Sequence, residues 1–269
     1  MNALNTIPAT LATDLRFPEG PAFGSDGSLW VVELGGGSLV QIKNGSIKKY
    51  DVGGKPNGIA FDYCGKLWFC DAGLNQIRCF DSETEQTTVM VSEVNNHALD
   101  GPNDLAFDTS GNLIFTCPGN SRNAATGYIC VRTPNGEVKK IAEQLYFPNG
   151  LAFSPITGEL IIAETYRQRL WKGDWNSEKC EWTNASVFAT TNGPTGPDGM
   201  AFDGHGNLYV AVYGTGKVNV YNREGMLSNE IILPGNNPTN CAFDLTTKLG
   251  LVVTEAERGE LLAYREYQY

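Results

Sequence analysis

Six residues spread along the chain carry the oxygen donors from which chemistry could be built. Each follows a proline: Glu19, Asn57, Asn103, Asn149, Asp198 and Thr239. They sit in variants of one phrase: "FPEGPAFG" (17–24), "KPNGIAFD" (55–62), "GPNDLAFD" (101–108), "YFPNGLAFSP" (146–155), "GPDGMAFD" (196–203) and "NPTNCAFD" (237–244). Two carboxylates and three amides are hard oxygen ligands, with no His or Cys among them. Such a set suits Ca2+, Mg2+ or Mn2+ better than a structural zinc ion. Two carboxylates roughly neutralise a divalent ion and leave room for water and a substrate oxygen, as in a site that polarises a carbonyl. Turn chemistry is the competing reading, because Pro presets φ and Asn and Gly tolerate the left-handed region. An internal control is "TPNGEV" (133–138), which has Pro-Asn-Gly without the following x-Ala-Phe and reads as an outer hairpin turn. Turn chemistry accounts for Asn57 and Asn149 and extends to Asp198, but accounts poorly for Glu19, since Glu is not a favoured turn residue.

The elements that must position these residues are strands. The phrase recurs with prolines at 18, 56, 102, 148, 197 and 238. After each comes a Gly-containing turn and a second apolar run: "SLWVVE", "KLWFCD", "NLIFTC", "ELIIAE", "NLYVAV" and "LGLVVTE". Outer strands such as "QIRCFD" and "YICVRT" follow. Four short strands in a unit of about 40–50 residues are the signature of a propeller blade. The sequence therefore predicts an all-β fold, a six-bladed β-propeller with four-stranded blades, as one domain over residues 1–269. The last unit has length for only three strands, so the segment "ATLATDLRF" (9–17) is expected to supply the fourth and close the ring, hiding an otherwise open edge. In this register the six residues after the prolines point into one mouth of the central channel.

Composition narrows the partners. The 31 glycines suit many tight turns. A net charge of −10 argues against nucleic acid or an anionic membrane as partner. No apolar run has membrane-spanning length, and the N-terminal stretch lacks the basic-then-apolar pattern of a signal peptide. The seven cysteines are scattered without a CxxC pair and read as reduced core thiols of a cytoplasmic protein. No Ser-His-Asp arrangement, phosphate loop or dinucleotide fingerprint is present.

The phrases "FPEGP", "GPNDL", "FPNGLAFS" and "GPDGMAFD", in this order and blade register, resemble the SMP-30/gluconolactonase/luciferin-regenerating-enzyme family of six-bladed propeller lactonases. The resemblance covers nearly the whole chain. It implies a divalent cation held by Glu19, Asn149 and Asp198, with Asn103 on the substrate side and Asp198 as ligand and proton acceptor. Ca2+ is the first expectation for the ion, with Mg2+, Mn2+, Zn2+ and Fe2+ as alternatives. The substrate implied is a small-molecule lactone, a sugar or aliphatic one, hydrolysed to the hydroxy acid. Some sugar lactonases of the family carry an Arg two residues before that Asn, where this chain has Gly101.

Further residues are drawn to the same mouth. Asn57 is expected to contact substrate or an ordered water. The long loop "CPGNSRNAATGY" (117–128) lies on the same face, so Arg122 either replaces the absent family Arg or is an ordinary solvated side chain. His97, close before the Asn103 phrase, is placed at the rim as a substrate contact, whereas His205 falls in a turn at the opposite end. Glu33, Asp71, Glu164 and Glu255 end second strands and read as caps of loops, with Glu164 supporting the Asn149 blade. Two other function classes share these features: a propeller lyase that opens a cyclic ester by elimination, and a non-enzymatic binding propeller.

Overall fold

The computed structural model describes residues 7–269. The leader reading of the N-terminal stretch and the 1–269 boundary both involve residues 1–6, which lie outside the described residues. Apart from one 3-10 turn at Thr165–Arg167, the regular elements are strands.

Six four-stranded antiparallel sheets form the blades of a propeller. Their innermost strands are Pro18–Phe23, Pro56–Phe61, Leu105–Phe107, Pro148–Phe153, Gly196–Phe202 and Pro238–Phe243. Each inner strand contacts the inner strands of its two neighbours, and the first contacts the last, so the ring is closed. The sixth blade is completed by Ala9–Ala12, which pairs with Glu260–Tyr264 through Ala9 opposite Ala263. The closure expected from the repeat lengths is thus present.

Five of the six second strands are buried along their whole length, as in Leu29–Glu33, Leu67–Asp71 and Leu160–Glu164, and that of blade five is buried up to its last residue, Tyr213. Both faces of a blade pack on neighbours there, so these strands read as continuous apolar runs rather than alternating ones. The apolar core is correspondingly divided into six clusters, one at each blade junction. Trp30, Tyr50, Phe69 and Phe80 lie between blades one and two. Leu208, Val210 and Val212 meet Ile161 and Ala163 between blades four and five. Val31 and Val40 meet Val252 and Leu261 where the ends of the chain join. Each fully buried side chain of this size contributes about 1.5–3 kcal/mol, which locks the six angles of the ring.

The hairpin at the foot of each blade is tied by a side chain. Asp62, Asp108, Asp203 and Asp244, at the ends of inner strands, each accept hydrogen bonds from backbone N–H groups of the turn that follows. His205 lies in one of these turns, where its backbone N–H donates to Asp203. The segment 133–138 is an outer turn, closed by Gly136 N–H to Thr133 O at 2.9 Å. Among the described residues no helix is long and apolar enough to cross a membrane. All seven cysteines are free thiols, five of them buried.

Candidate metal and substrate site

A local irregularity turns the phrase residues toward the channel. In five inner strands the pairing register slips at or just after the residue that follows the proline, between Glu19 and Ala22 in blade one and between Pro148 and Leu151 in blade four, for example. Bulges of this kind re-aim side chains beside functional sites. In blade three the paired ladder begins only at Leu105, leaving Asn103 and Asp104 at the mouth end of the strand.

The result is a cavity of about 900 Å³ at one end of the channel, bordered by Glu19, Asn57, Asn103, Asn149 and Asp198. Arg122 borders it from the 117–128 loop. Thr239 does not join this ring. Its hydroxyl donates to Pro18 O at 2.7 Å and meets Thr254 Oγ1 at the same distance, so it ties the last blade to the first. A short hydroxyl on a buried backbone carbonyl satisfies that group better than the open channel would. His97 is also elsewhere: it lies exposed on a small hairpin, Glu93–Val94 with His97–Ala98, with its Nδ1 against Asn95 O at 2.8 Å.

The carboxylates are buried and have no cationic partner. Glu19 is 4% and Asp198 9% exposed, and no ion pair among the described residues includes either. Burial, then the charges of Asp198 and Asp104, hold the Glu19 carboxyl well above the usual range. Burial pushes Asp198 up to about 8, against the lowering effect of Asn149 beside it. Asp104, one residue beyond Asn103, is pushed to about 7 by burial. Uncompensated buried carboxylates are costly unless paired or coordinated to a metal.

The donor set therefore fits a hard cation. No group of three or more His, Cys, Asp or Glu among the described residues is arranged to hold a metal, so an ion here would have to draw on amide oxygens. The structure orients one such amide. Asn149 Nδ2 donates to Thr165 Oγ1 at 3.2 Å, and that hydroxyl spends its own proton on Pro197 O at 2.7 Å. Thr165 must then accept from Asn149, which leaves Asn149 Oδ1 as the free end of the amide. Thr165 escaped the sequence reading because it lies outside the repeated phrase, just after a second strand.

A second layer lies behind the ring. The residue after each ring position is Gly20, Gly58, Asp104, Gly150, Gly199 and Asn240 in turn. Asp104 and Asn240 fill the space that the glycines leave: a Cβ at Gly58 would overlap the Asp104 carboxylate, and one at Gly199 the Asn240 amide.

The strand-end acids pin the loops that lead into the ring. Glu33 accepts from Arg16 N at 3.0 Å, Asp71 from Lys55 N at 2.9 Å, Glu164 from Tyr146 N at 2.7 Å and Glu255 from Asn237 N at 2.8 Å. In blade three Cys117 holds the strand-end position, and Tyr128 Oη accepts from Asp100 N at 3.0 Å instead.

Comparison with known proteins adds a lineage. The model of the SMP-30/Gluconolactonase/LRE-like region matches residues 17–257. The lactonase drp35 of Staphylococcus haemolyticus is 29% identical over 233 residues, covering 81% of this chain and 70% of that protein. The diisopropyl-fluorophosphatase of Loligo vulgaris is also 29% identical, over 275 residues, covering 91% and 87%. Among solved structures, a gluconolactonase from Xanthomonas campestris superposes with a TM-score of 0.84 at 26% identity, covering 94% of this chain and 88% of that one.

Proposed function

The chain belongs to the SMP-30/gluconolactonase/LRE-like family, and from that premise we propose that it hydrolyses a lactone to its hydroxy acid with the help of one divalent cation. One observation carries the reading: Glu19, Asn149 and Asp198 come from three different blades to border one cavity, with both carboxylates buried and without a cationic side chain. These three residues would hold the ion, Ca2+ foremost and Mg2+, Mn2+, Zn2+ or Fe2+ as alternatives by the hard-oxygen donor set. Bound there, the cation supplies Lewis-acid polarisation of the lactone carbonyl.

The chain's own groups do the rest. Asn103 hydrogen-bonds the substrate and orients its ring toward the carboxylates. Asn57, buried in the same ring, positions the attacking water. Asp198 takes the proton from that water at its carboxylate as the new C–O bond forms, then returns it to the leaving alkoxide when the ring opens. Arg122 borders the mouth with its guanidinium stacked on Phe147 and Tyr166, held where it can donate to a substrate oxygen. The negative net charge and the free thiols support a cytoplasmic enzyme acting on a small molecule.

The test is a screen of sugar and aliphatic lactones with pH-indicator detection, after chelation and after return of each metal. Hydrolysis that is lost on chelation and restored by metal is the expected result; activity indifferent to chelation would remove the cation from the reading. Product formed in 18O-labelled water must carry the label in its carboxylate, whereas an alkene would mark elimination. The coverage of the Loligo fluorophosphatase, 91% of this chain, favours a second reading, cleavage of an organophosphorus fluoride in the same cavity. Fluoride release beside the lactone screen decides between them.

A further inference from the structure

The loops entering blades one, three and four share a pattern, "LRFP", "LDGP" and "LYFP", in which a buried Leu precedes a residue that leads into the proline. That last residue is Phe17, Gly101 or Phe147, and all three adopt left-handed backbone, with φ of 57°, 56° and 61°. Blade three is the internal control: where no side chain is needed, the position is glycine. A Phe in this region costs roughly 1–2 kcal/mol relative to glycine, and the residue before proline is ordinarily extended. Strain of this kind, held at a cavity wall, points to use.

Both rings border the 900 Å³ cavity. Blades one and four lie opposite each other in a ring of six, so the two rings enter the mouth from facing sides. Phe17 stacks on Tyr213, with centroids 6.4 Å apart and planes 24° apart. Phe147 meets Tyr166 edge-on at 5.3 Å, and Arg122 lies over both. Tyr213 borders the cavity together with Glu19 and Asp198, which places that wall beside the carboxylates. Leu34, Ala72 and Pro118 extend the apolar lining. A cavity of this volume suits a ligand of drug-like size, and a single sugar ring would fill little of it.

We propose that Phe17 and Phe147 are specificity-determining residues, and that the preferred substrate is a lactone bearing an apolar side chain, which lies between the two aromatic walls while its ring carbonyl faces Glu19, Asn149 and Asp198. This rests on the hydrolytic reading of the same site. The Phe17 and Phe147 rings themselves offer a polyhydroxylated ring no hydrogen bonds, whereas each methylene of an alkyl chain buried against them contributes favourable transfer energy.

The experiment compares γ-butyrolactone, γ-hexalactone and γ-decalactone with glucono-δ-lactone on the metal-loaded protein, using wild type, Phe17→Gly, Phe147→Gly and Phe147→Tyr. Glycine removes the ring without demanding strained backbone, so both variants should keep or raise the thermal midpoint. For wild type, kcat/KM should rise at least tenfold from the C4 to the C10 lactone. Each glycine variant should lose about five- to twentyfold on the C10 lactone, mainly through KM, and severalfold less than that on γ-butyrolactone; Phe147→Tyr should restore the chain-length dependence. A flat wild-type series, a preference for glucono-δ-lactone, or equal losses on short and long lactones would overturn the proposal. Calorimetric binding of 2-pyrrolidinone and 5-hexyl-2-pyrrolidinone, which are not hydrolysed, separates the two readings. If no lactone turns over but the hexyl lactam binds at least tenfold tighter and loses that gain in the glycine variants, the walls stand and the hydrolytic reading falls. If the two lactams bind alike, the walls fall whatever the activity.

Discussion

Asn240 donates its side-chain amide to the Asp104 carboxylate across the channel, at 3.4 Å, although the two residues are 136 positions apart. The pair occupies a layer behind the ring of phrase residues, and glycines 58 and 199 make the space for it. Gly199→Ala should therefore cost about 1–3 kcal/mol through overpacking, and Asn240→Ala should recover much of that loss because the clash is with a side chain. Gly58→Ala should be rescued less by Asp104→Ala, since its Cβ would also stand 2.7 Å from the Asp104 Cα. Chemical denaturation of the single and double variants checks both. Equal rescue of the two glycine variants would mean that the layer is not filled as described.

Much of this was legible because the repeat is. A phrase repeated six times fixes blade number, strand order and the residues that share one end of the channel, so Glu19, Asn57, Asn103, Asn149 and Asp198 could be brought together without coordinates. The register was less informative where one residue departs from the average of the repeat. Thr239 has a hydroxyl short enough to satisfy Pro18 O, and it turns to the junction. Asp104 and Asn240 stand where four repeats have glycine, a contrast visible in the aligned phrases but without meaning until the channel's width is known. His97 depends on a local hairpin that no repeat specifies. The left-handed backbone of Phe17 and Phe147 could not be read either, since Phe before Pro ordinarily signals extended chain.

Asp198 and Asn103 border the same cavity but should respond differently to truncation. In the proposed mechanism Asp198→Ala removes a charge from the ion and a proton acceptor, so both metal affinity and kcat should collapse. On the same reading Asn103→Ala removes only a neutral substrate contact; metal affinity should persist while kcat/KM falls by about 1–3 kcal/mol of transition-state stabilisation. Asn57→Ala should fall between them. Calorimetric metal titration beside lactonase assays reads both quantities, and equal metal loss in the Asn103 and Asp198 variants would show that the roles are wrongly divided.

The buried carboxyls give the chelated protein a definite pH dependence. Asp104 and Asp198 have folded values of about 7 and about 8, above the roughly 3.9 of an unfolded Asp. The folded state then binds more protons than the unfolded one, so stability falls as pH rises from about 4 through about 8. A divalent ion, bound by the folded state alone, should offset this by favouring the ionised form. Thermal midpoints of metal-free protein should decline between pH 5 and 8, and the gain on adding Ca2+ should be larger at pH 8. A midpoint that rises with pH in chelator would contradict the burial of uncompensated carboxylates.

Glu164 connects the site to the loop that delivers Asn149. Its carboxylate is 1% exposed and accepts from Tyr146 N at 2.7 Å, Arg169 Nε at 2.7 Å and Trp171 Nε1 at 2.8 Å. Glu164→Ala would leave three donors unpaired at the entrance to the inner strand Pro148–Phe153. The Arg169 side chain is a third exposed, so solvent can recover part of its interaction, and the loss should come to about 2–3 kcal/mol rather than the larger figure for a fully buried pair. Because Tyr146 precedes Phe147 and Asn149 in the same segment, metal affinity should fall several-fold together with stability. Glu164→Gln keeps one acceptor for Tyr146 N but turns an amide toward other donors, so it should lie between wild type and Glu164→Ala in both measures. Urea unfolding and metal titration of the two variants test this, and a Glu164→Ala protein as stable as wild type would show that the carboxylate does not hold the loop.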